Sequence, residues 1–520
     1  MFRNFKSKAI RSVDRSLNIK DLMITPHSFD PGASLKILLT AAEAAPFAKV
    51  GGLADVVSSL AKALTREGHQ VIVALPAYPL VLKDKALLPM KILDSFPVQI
   101  NPKENVSASL YSFEDHEVTY WLIEGGGYFK NALSSSTIYT VTRDGYLFFS
   151  RAIFEACRLT NWIPDVLHCN DWQQGFIPVL LKKGKERGFN QTATVFTIHN
   201  LAYQGEFGKD TLTKLDLPLT LFNSSQLETY GAVNFLKSGC VFADQVNTVS
   251  PTYAREIQTP EYGFRLEGLL SYLHKKGRFR GILNGIDPEF FNPDTDPELP
   301  ANFHFGEPEG KTYCKHALQF ELGLPVLRNT LLVGMVSRLS EQKGFDLFFG
   351  AIKELLQFPL QFVIQGLGDP VTARKLKVLQ QSNPKQVRFI HEFNPVLAKK
   401  VYAASDLFLL PSLYEPCGLG QMIAMRYGTL PVGRKTGGLA DTIQDLVNGF
   451  IFESKEPVEL VHAVNRALVI HEHPNYWNQM IEVAMNEDHS WKKSMQAYLL
   501  LYEDALNIRR HTRSERDLKE

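Results

Sequence analysis

Two series of short, unbroken apolar runs, each followed by a loop and a helical pattern, constrain this chain more than any other feature of its sequence. The first run, in LKILLTAAEAAP, begins at Leu35 and suits a strand buried on both faces. From Leu53, apolar residues at Val56, Val57, Leu60, Ala61 and Leu64 follow the spacing of one helix face, and Gly68 stands where such a helix would stop. VIVALP (71–76) then reads as a second strand, so strand, glycine loop, helix and strand form a βαβ unit. Apolar runs at 166–168, 193–199 and 246–250 extend the same parallel sheet. After a stretch rich in Pro, Asp and Asn (281–300), the alternation restarts, with strand candidates at 330–339, 360–369, 387–393, 406–412 and 428–433. The expected fold is α/β, with two doubly wound domains facing a cleft into which the carboxyl ends of their strands point. A length of 520 residues agrees, being more than one core serves.

Charge narrows the partners. Lys plus Arg (56) and Asp plus Glu (55) nearly cancel, which argues against nucleic acid or an acidic membrane as partner. The five cysteines are odd in number and form no CxxC pair, as suits a reducing compartment without a zinc site. No segment reaches the roughly 18–20 apolar residues of a membrane span, so no integral membrane association is expected. Residues 1–34 stand apart: Phe2, Phe5, Ile10, Val13 and Leu17 recur among Arg3, Lys6, Lys8, Arg11 and Arg15, a basic amphipathic pattern. Asp14, Asp21 and sparse serines count against a transit peptide, so the cytoplasm is the expected compartment, with a plastid left open.

Candidate chemistry sits at the ends of the strand runs. Lys49, Gly51, Gly52 and Asp55 lie between a strand and a helix, in outline a phosphate cradle of loop amides, helix N-terminus and lysine. Asp171 and Trp172 follow one strand; His199, Asn200 and Tyr203 follow the next. Amide, carboxylate and imidazole groups suit sugar hydroxyls, and Trp172 or Tyr203 suits the apolar face of a sugar ring. Each pattern taken singly also fits an ordinary βα connection. In the second series Arg338 ends a strand, Lys343 follows five residues on, and both could face one anion, such as a leaving nucleoside diphosphate. Gly366 and Gly368 form a lone GxG, which a simple turn would also explain. The densest stretch is 411–442, where Glu415 precedes Cys417, Gly418, Leu419 and Gly420 at a helix start, and Gly437–Asp441 repeats the GGLAD of 51–55. GEPEGKT (306–312) is one residue short of a Walker loop and reads as linker, and Asp294-Thr295-Asp296 reads as a solvated connection rather than a metal-binding DxD.

These residues together resemble the bacterial glycogen synthase and plant starch synthase family: KVGGLADV (49–56), HCNDW (168–172), FTIHNLAYQG (196–205), ADQVNTVSPTYAREI (243–257), LNGID (283–287), SRLSEQKG (337–344) and EPCGL (415–419), in order over about 35–505. The resemblance implies a GT-B architecture: an extension over 1–34, a Rossmann-like acceptor-side domain over 35–290, a nucleotide-sugar-side domain over 291–490, and a final helix and tail over 491–520 crossing back to the first domain. It implies a retaining transfer of glucose from ADP-glucose, with UDP-glucose left open, to the non-reducing end of an α-1,4-glucan, without metal or other cofactor. By resemblance Lys49 and the Gly51-Gly52 loop with Asp55 bind the donor, Arg338 and Lys343 hold its diphosphate, and Glu415 orients the transferred glucose. His199 would lie near that sugar and Asp171 near the reacting centre or acceptor, with Asn200 and Asn284 lining the cleft. Two alternatives remain at this level: a glucan-binding scaffold or initiator with weak synthase activity, and another retaining GT-B glucosyltransferase. Departures from the family pattern are Gly420 in place of threonine, Leu413-Tyr414 in place of Arg-Phe, and a poorly matching segment at 125–150.

Overall fold

The structure, a computed structural model, describes residues 34–83, 90–184, 186–307, 309–327, 329–392 and 394–517. The basic pattern of residues 1–34 therefore lies almost wholly outside the described residues. From Leu35 on, two sheets organise the chain. The first lobe carries β1 (Lys36–Thr40), β2 (Gln70–Pro76), β3 (Lys91–Asn101), β4 (Glu104–Asp115), β5 (Val118–Gly125), β6 (Val166–Asn170), β7 (Ala193–Ile198), β8 (Glu206–Phe207), β9 (Glu228–Thr229), β10 (Ala232–Asn234), β11 (Gln245–Thr248) and β12 (Phe279–Gly281). Seven of these run parallel in the order β12-β11-β7-β6-β1-β2-β5, and β4 and β3 extend that sheet antiparallel at one edge. The remaining three, β8-β10-β9, make a small separate sheet. The second lobe carries β13 (Leu331–Val336), β14 (Leu360–Gln365), β15 (Val387–Ile390), β16 (Leu407–Leu410), β17 (Leu430–Arg434) and β18 (Phe450–Phe452), all parallel in the order β15-β14-β13-β16-β17-β18.

The physical cause is plain in burial. β6, β7, β14 and β16 are buried at every position, as expected of strands covered by helices on both faces. The hairpin β3–β4 differs: its residues alternate between exposed and buried, one face meeting water. The final helix, Trp491–Asp517, returns to the first lobe. There Asn247 Nδ2 donates to the Tyr498 hydroxyl at 3.2 Å, Arg280 pairs with Asp504, and His168 is held by Tyr502 (2.9 Å) and Thr197 (2.6 Å). His168 is thus a core residue; burial pushes its pKa down to about 3 and keeps it neutral.

Two readings of the connecting stretch are corrected. Asp296 is not solvated: it is 3% exposed, accepts from the Tyr427 hydroxyl at 2.6 Å and pairs with Lys399 at 3.3 Å. The lysine of GEPEGKT, Lys311, lies not in a linker but on the helix Glu309–Glu321, donating to the carbonyls of Ala403 and Tyr427. Both anchor the segment to the second lobe. All five cysteines are free and buried, and burial raises every thiol pKa, that of Cys417 to about 12.

Candidate active site

The glycine loop after β1 leads into the helix Gly52–Arg66, whose first turn has no side-chain cap. Two loop amides ahead of it are satisfied from within. Glu43, 2% exposed, accepts the N–H groups of Val50 (2.5 Å) and Gly51 (2.9 Å) and the hydroxyl of Tyr139. Burial raises the Glu43 pKa, while these donors and the charge of Arg338 oppose the shift. An internal carboxylate thus takes two of the loop's amides, those of Val50 and Gly51, just ahead of the helix start at Gly52. Lys49 is likewise paired, with Asp55 at 2.6 Å. Glu43 was missed in the sequence. Its signal was a lone carboxylate inside an apolar run ahead of two glycines, a position where a charge survives only with donors around it. A Cβ at Gly51 would meet nothing within 4 Å, whereas one at Gly52 would lie 3.7 Å from the Leu419 side chain, so the two glycine-rich motifs face each other across the lobes.

The ends of β6 and β7 supply the next wall. Asp171 sits at φ 60°, a strained left-handed conformation for a side-chain-bearing residue, and its carboxylate accepts the His199 N–H at 2.8 Å. Burial raises its pKa to about 7 against the pull of the His199 and Asn200 amides. His199 Nε2 lies 2.9 Å from the Asn170 amide oxygen, which only accepts, so Nε2 carries the proton; burial holds the ring neutral, with a pKa of about 3. Asn200 Nδ2 donates to Gln342 Oε1 across the lobes at 3.3 Å. The two aromatics separate: Trp172 packs against Tyr146, Phe207 and Phe235, whereas Tyr203 is 51% exposed. Tyr203, not Trp172, presents an open ring.

In the second lobe the SRL and GLGD loops are laced together. Leu339 N–H donates to Leu367 O (2.7 Å) and Asp369 N–H to Leu339 O (2.8 Å), so Gly366 and Gly368 hold the loop bearing the exposed Arg338. Lys343 Nζ lies 2.5 Å from Glu415 Oε2, which also accepts the Ser412 hydroxyl at 2.9 Å. Glu415 is 4% exposed, and its Oε1 makes no hydrogen bond among the described residues. Gly344, at φ 67°, lets the two loops meet: a Cβ there would lie 1.8 Å from the Pro411 carbonyl oxygen. Asn284, 4% exposed, lies against Cys417, and its Oδ1 is buried without a partner among the described residues. Gly418 begins the turn into the helix Gly420–Arg426. A Cβ at Gly420 would lie 3.1 Å from the Phe408 ring and 3.4 Å from the Tyr402 hydroxyl, both within the lobe.

The second GGLAD has its own task. Gly437 N–H donates to Glu256 (3.0 Å), as does the Thr436 hydroxyl (3.0 Å), while Asp441 accepts from Thr252 N–H (2.9 Å) and hydroxyl (2.6 Å). The helices Pro251–Glu256 and Gly437–Thr442, one from each lobe, thus cap one another. Gly438 N–H also donates to the Glu415 carbonyl at 3.1 Å, which joins this lock to the site.

Two Rossmann-like lobes with a carboxylate, lysine and arginine on one wall and imidazole, amide and carboxylate groups on the other define a GT-B glycosyltransferase. Residues 36–272 match the starch synthase catalytic domain and residues 324–482 match glycosyl transferases group 1. The chain is 42% identical to the glycogen synthase of Geotalea daltonii, over 90% of this chain and 98% of that one, and 44% identical to that of Kosmotoga olearia, over 91% and 98%. Among solved structures, the catalytic domain of starch synthase IV from Arabidopsis thaliana, bound to ADP and acarbose, superposes with a TM-score of 0.85 at 35% identity, covering 91% of this chain and all of that one. The chain belongs to the glycogen and starch synthase family and is a glycosyltransferase. Sucrose-phosphate synthase of Thermosynechococcus elongatus, 18% identical with a TM-score of 0.57, shares the fold.

Proposed function

We propose that the enzyme transfers glucose from ADP-glucose to the non-reducing 4-hydroxyl of an α-1,4-glucan with retention of configuration. The observation that carries this reading is the buried Glu415, fixed by Lys343 and Ser412 beyond a strand end of the second lobe, as Asp171 is fixed by the His199 amide at the strand ends of the first. The starch synthase IV relative carries ADP and acarbose, a nucleotide and an oligosaccharide, in one catalytic domain.

In this reading the exposed Arg338 and Lys343 hold the diphosphate and stabilise the charge it gathers as it leaves. Glu415 Oε1 orients the glucose, neutral His199 donates to it from Nε2 after exchanging Asn170, and Asp171 stabilises positive charge developing at C1. This reading assigns no side chain the role of covalent nucleophile, and the acceptor attacks from the face the phosphate leaves: the C1–O bond to phosphate breaks, the bond from C1 to the acceptor O4 forms, and the acceptor proton passes to the departing phosphate. Protein cations supply the charge a metal would, so activity should survive EDTA. Tyr203 offers a platform for the glucan, and Asn200, Asn284 and Leu419 complete the cleft walls. The five protonated, buried thiols suit a cytoplasmic, reducing setting.

Incubation with radiolabelled ADP-glucose or UDP-glucose and glycogen tests this. Expected is incorporation from ADP-glucose, abolished by Glu415→Ala with folding intact. Glycogen binding without incorporation overturns it in favour of a scaffold, and preference for UDP-glucose overturns the donor assignment.

A further inference from the structure

Next to Lys343 stands a neutral residue, Gln342, which is 7% exposed in the short 3₁₀ turn Glu341–Lys343. Its amide is spent neither on solvent nor on its own turn. Oε1 accepts from Asn200 Nδ2 of the first lobe at 3.3 Å, and Nε2 donates to the Tyr414 carbonyl at 3.3 Å. The backbone carbonyl of Gln342 accepts the Leu413 N–H at 2.8 Å. The neighbours fix which way the amide points: Asn200 Oδ1 already accepts the Ala202 N–H at 3.1 Å, which leaves Nδ2 to donate, and a backbone carbonyl only accepts. Gln342 is therefore an acceptor toward the first lobe and a donor toward the second.

These bonds complete a path between the two walls of the cleft. Asp171 accepts the N–H of Asn200 as well as that of His199. Asn200 reaches Gln342, Gln342 holds the carbonyl of Tyr414, and the next residue is Glu415, paired in turn with Lys343. At 3.3 Å both amide bonds are long for N–H···O bonds, so a small change in lobe spacing breaks them first. The reciprocal caps of Glu256 and Asp441 tie the lobes elsewhere, between the helices Pro251–Glu256 and Gly437–Thr442. They hold the lobes together when Gln342 is altered, which separates closure of the lobes from alignment of the walls.

We propose that Gln342 is a positioning residue: its amide sets Glu415 and Lys343 in register with Asp171 and His199, so that the carboxylate orienting the sugar is in place only when the first lobe's wall stands opposite. The inference rests on the glucan-synthase reading. Gln342 acts through Glu415 and Lys343 rather than by touching substrate, and a loss of register near 1 Å at reacting groups costs on the order of a hundredfold in rate.

Two variants of the full chain test this. Gln342→Met keeps the volume and loses both amide bonds. Gln342→Glu keeps the acceptor toward Asn200, but a carboxylate has no donor for the Tyr414 carbonyl; once protonated it regains an O–H and matches the parent amide. Burial raises the pKa of such a carboxyl above its ordinary value of about 4.3, so rates are measured from about pH 8 down to about pH 5. ADP-glucose and glycogen are each varied, and a thermal melt checks the fold. Each variant's kcat is divided by the parent's at the same pH, which cancels the titration of groups all three share: Asp171 beyond Asn200, Lys343 beside Gln342, and Tyr203, Arg338 and Glu415 around Tyr414.

Expected at pH of about 8 is a kcat on the order of a hundredfold below the parent in both variants, with little change in either KM, the signature of an interaction that matters in the transition state alone. As pH falls, the Gln342→Glu ratio climbs toward the parental value while the Gln342→Met ratio stays flat. The climb is read within one protein, so it holds even where Gln342→Met loses stability. A near-parental kcat in Gln342→Met overturns the proposal. So does a raised KM at unchanged kcat, which would make Gln342 a binding residue, or a Gln342→Glu ratio that stays flat with pH, which would show that donation to the Tyr414 carbonyl sets nothing in place. A parent that transfers glucose from neither nucleotide sugar overturns the synthase reading and this inference with it, whereas an active parent confines each of the other failures to Gln342.

Discussion

Replacing Gly344 with alanine places a methyl group 1.8 Å from the Pro411 carbonyl oxygen in a residue at φ 67°. Two effects add, and the structure contains the control that separates them. Gly277 has nearly the same backbone, φ 68°, but nothing within 4 Å of its missing Cβ. Gly277→Ala should therefore show left-handed strain alone, about 1–2 kcal/mol. In Gly344→Ala the loop must also retreat: ordinary contact for a Cβ begins at 3.4 Å, so close packing demands a shift of roughly 1.6 Å. Overpacking of that kind adds about 1–3 kcal/mol. The shift moves Lys343 off Glu415, and a displacement near 1 Å at reacting groups costs on the order of a hundredfold in rate. Denaturant unfolding of both variants and their kcat with ADP-glucose and glycogen make the assay. The expected outcome is two losses of stability differing by about 1–3 kcal/mol, and a rate loss confined to Gly344→Ala. Equal stability losses, or near-parental turnover in Gly344→Ala, would show that the contact between these loops does not hold the site.

Three further outcomes are expected. The Asp171 carboxyl, raised to about 7 by burial, makes folding most favourable below the ordinary carboxyl range and less so as pH rises through about 7, whereas its charged form serves the reaction. kcat should therefore rise with pH through about 7 and lose that limb in Asp171→Asn; a pH profile unchanged by the substitution would remove Asp171 from the reaction. Gly420→Thr directs its Cβ at the Phe408 ring, so it should lower stability by about 1–3 kcal/mol without improving the KM for ADP-glucose; a clearly lower KM would restore the missing hydroxyl to the donor site. Glu256→Ala and Asp441→Ala each remove one of the reciprocal caps between lobes, about 1–2 kcal/mol apiece, and the double variant should lose less than their sum, since either opens the shared contact. Additive losses by denaturant unfolding would make the two caps independent.

What could be read in the sequence was what short-range pattern encodes. Strands buried on both faces, such as β7 and β14, announce themselves as unbroken apolar runs. The hairpin β3–β4 did not stand out, because half of its residues face water and its pairing follows from the register with β5. Arg338, Lys343, Glu415, Asp171 and His199 were legible through motif context, and the structure sets them at the strand ends of the two lobes. Their holders were not. Glu43 meets Gly51 within eight residues, yet Tyr139 reaches it from 96 residues away, and Asp441 caps a helix 189 residues earlier. Such partners are set by how the lobes assemble, which no local pattern carries. The same holds for Trp172: its aromatic character was visible, but the three rings that enclose it come from three separate segments.

The sequestered cysteines give the folded protein a property of practical use. With every thiol buried and held protonated, a thiol-reactive dye finds no fast target on the native chain. Labelling becomes a clock for opening. Cys157, Cys169 and Cys240 report from the first lobe, Cys314 and Cys417 from the second, so the order in which mass increments appear under mild denaturant records which lobe yields first, or whether both yield as one.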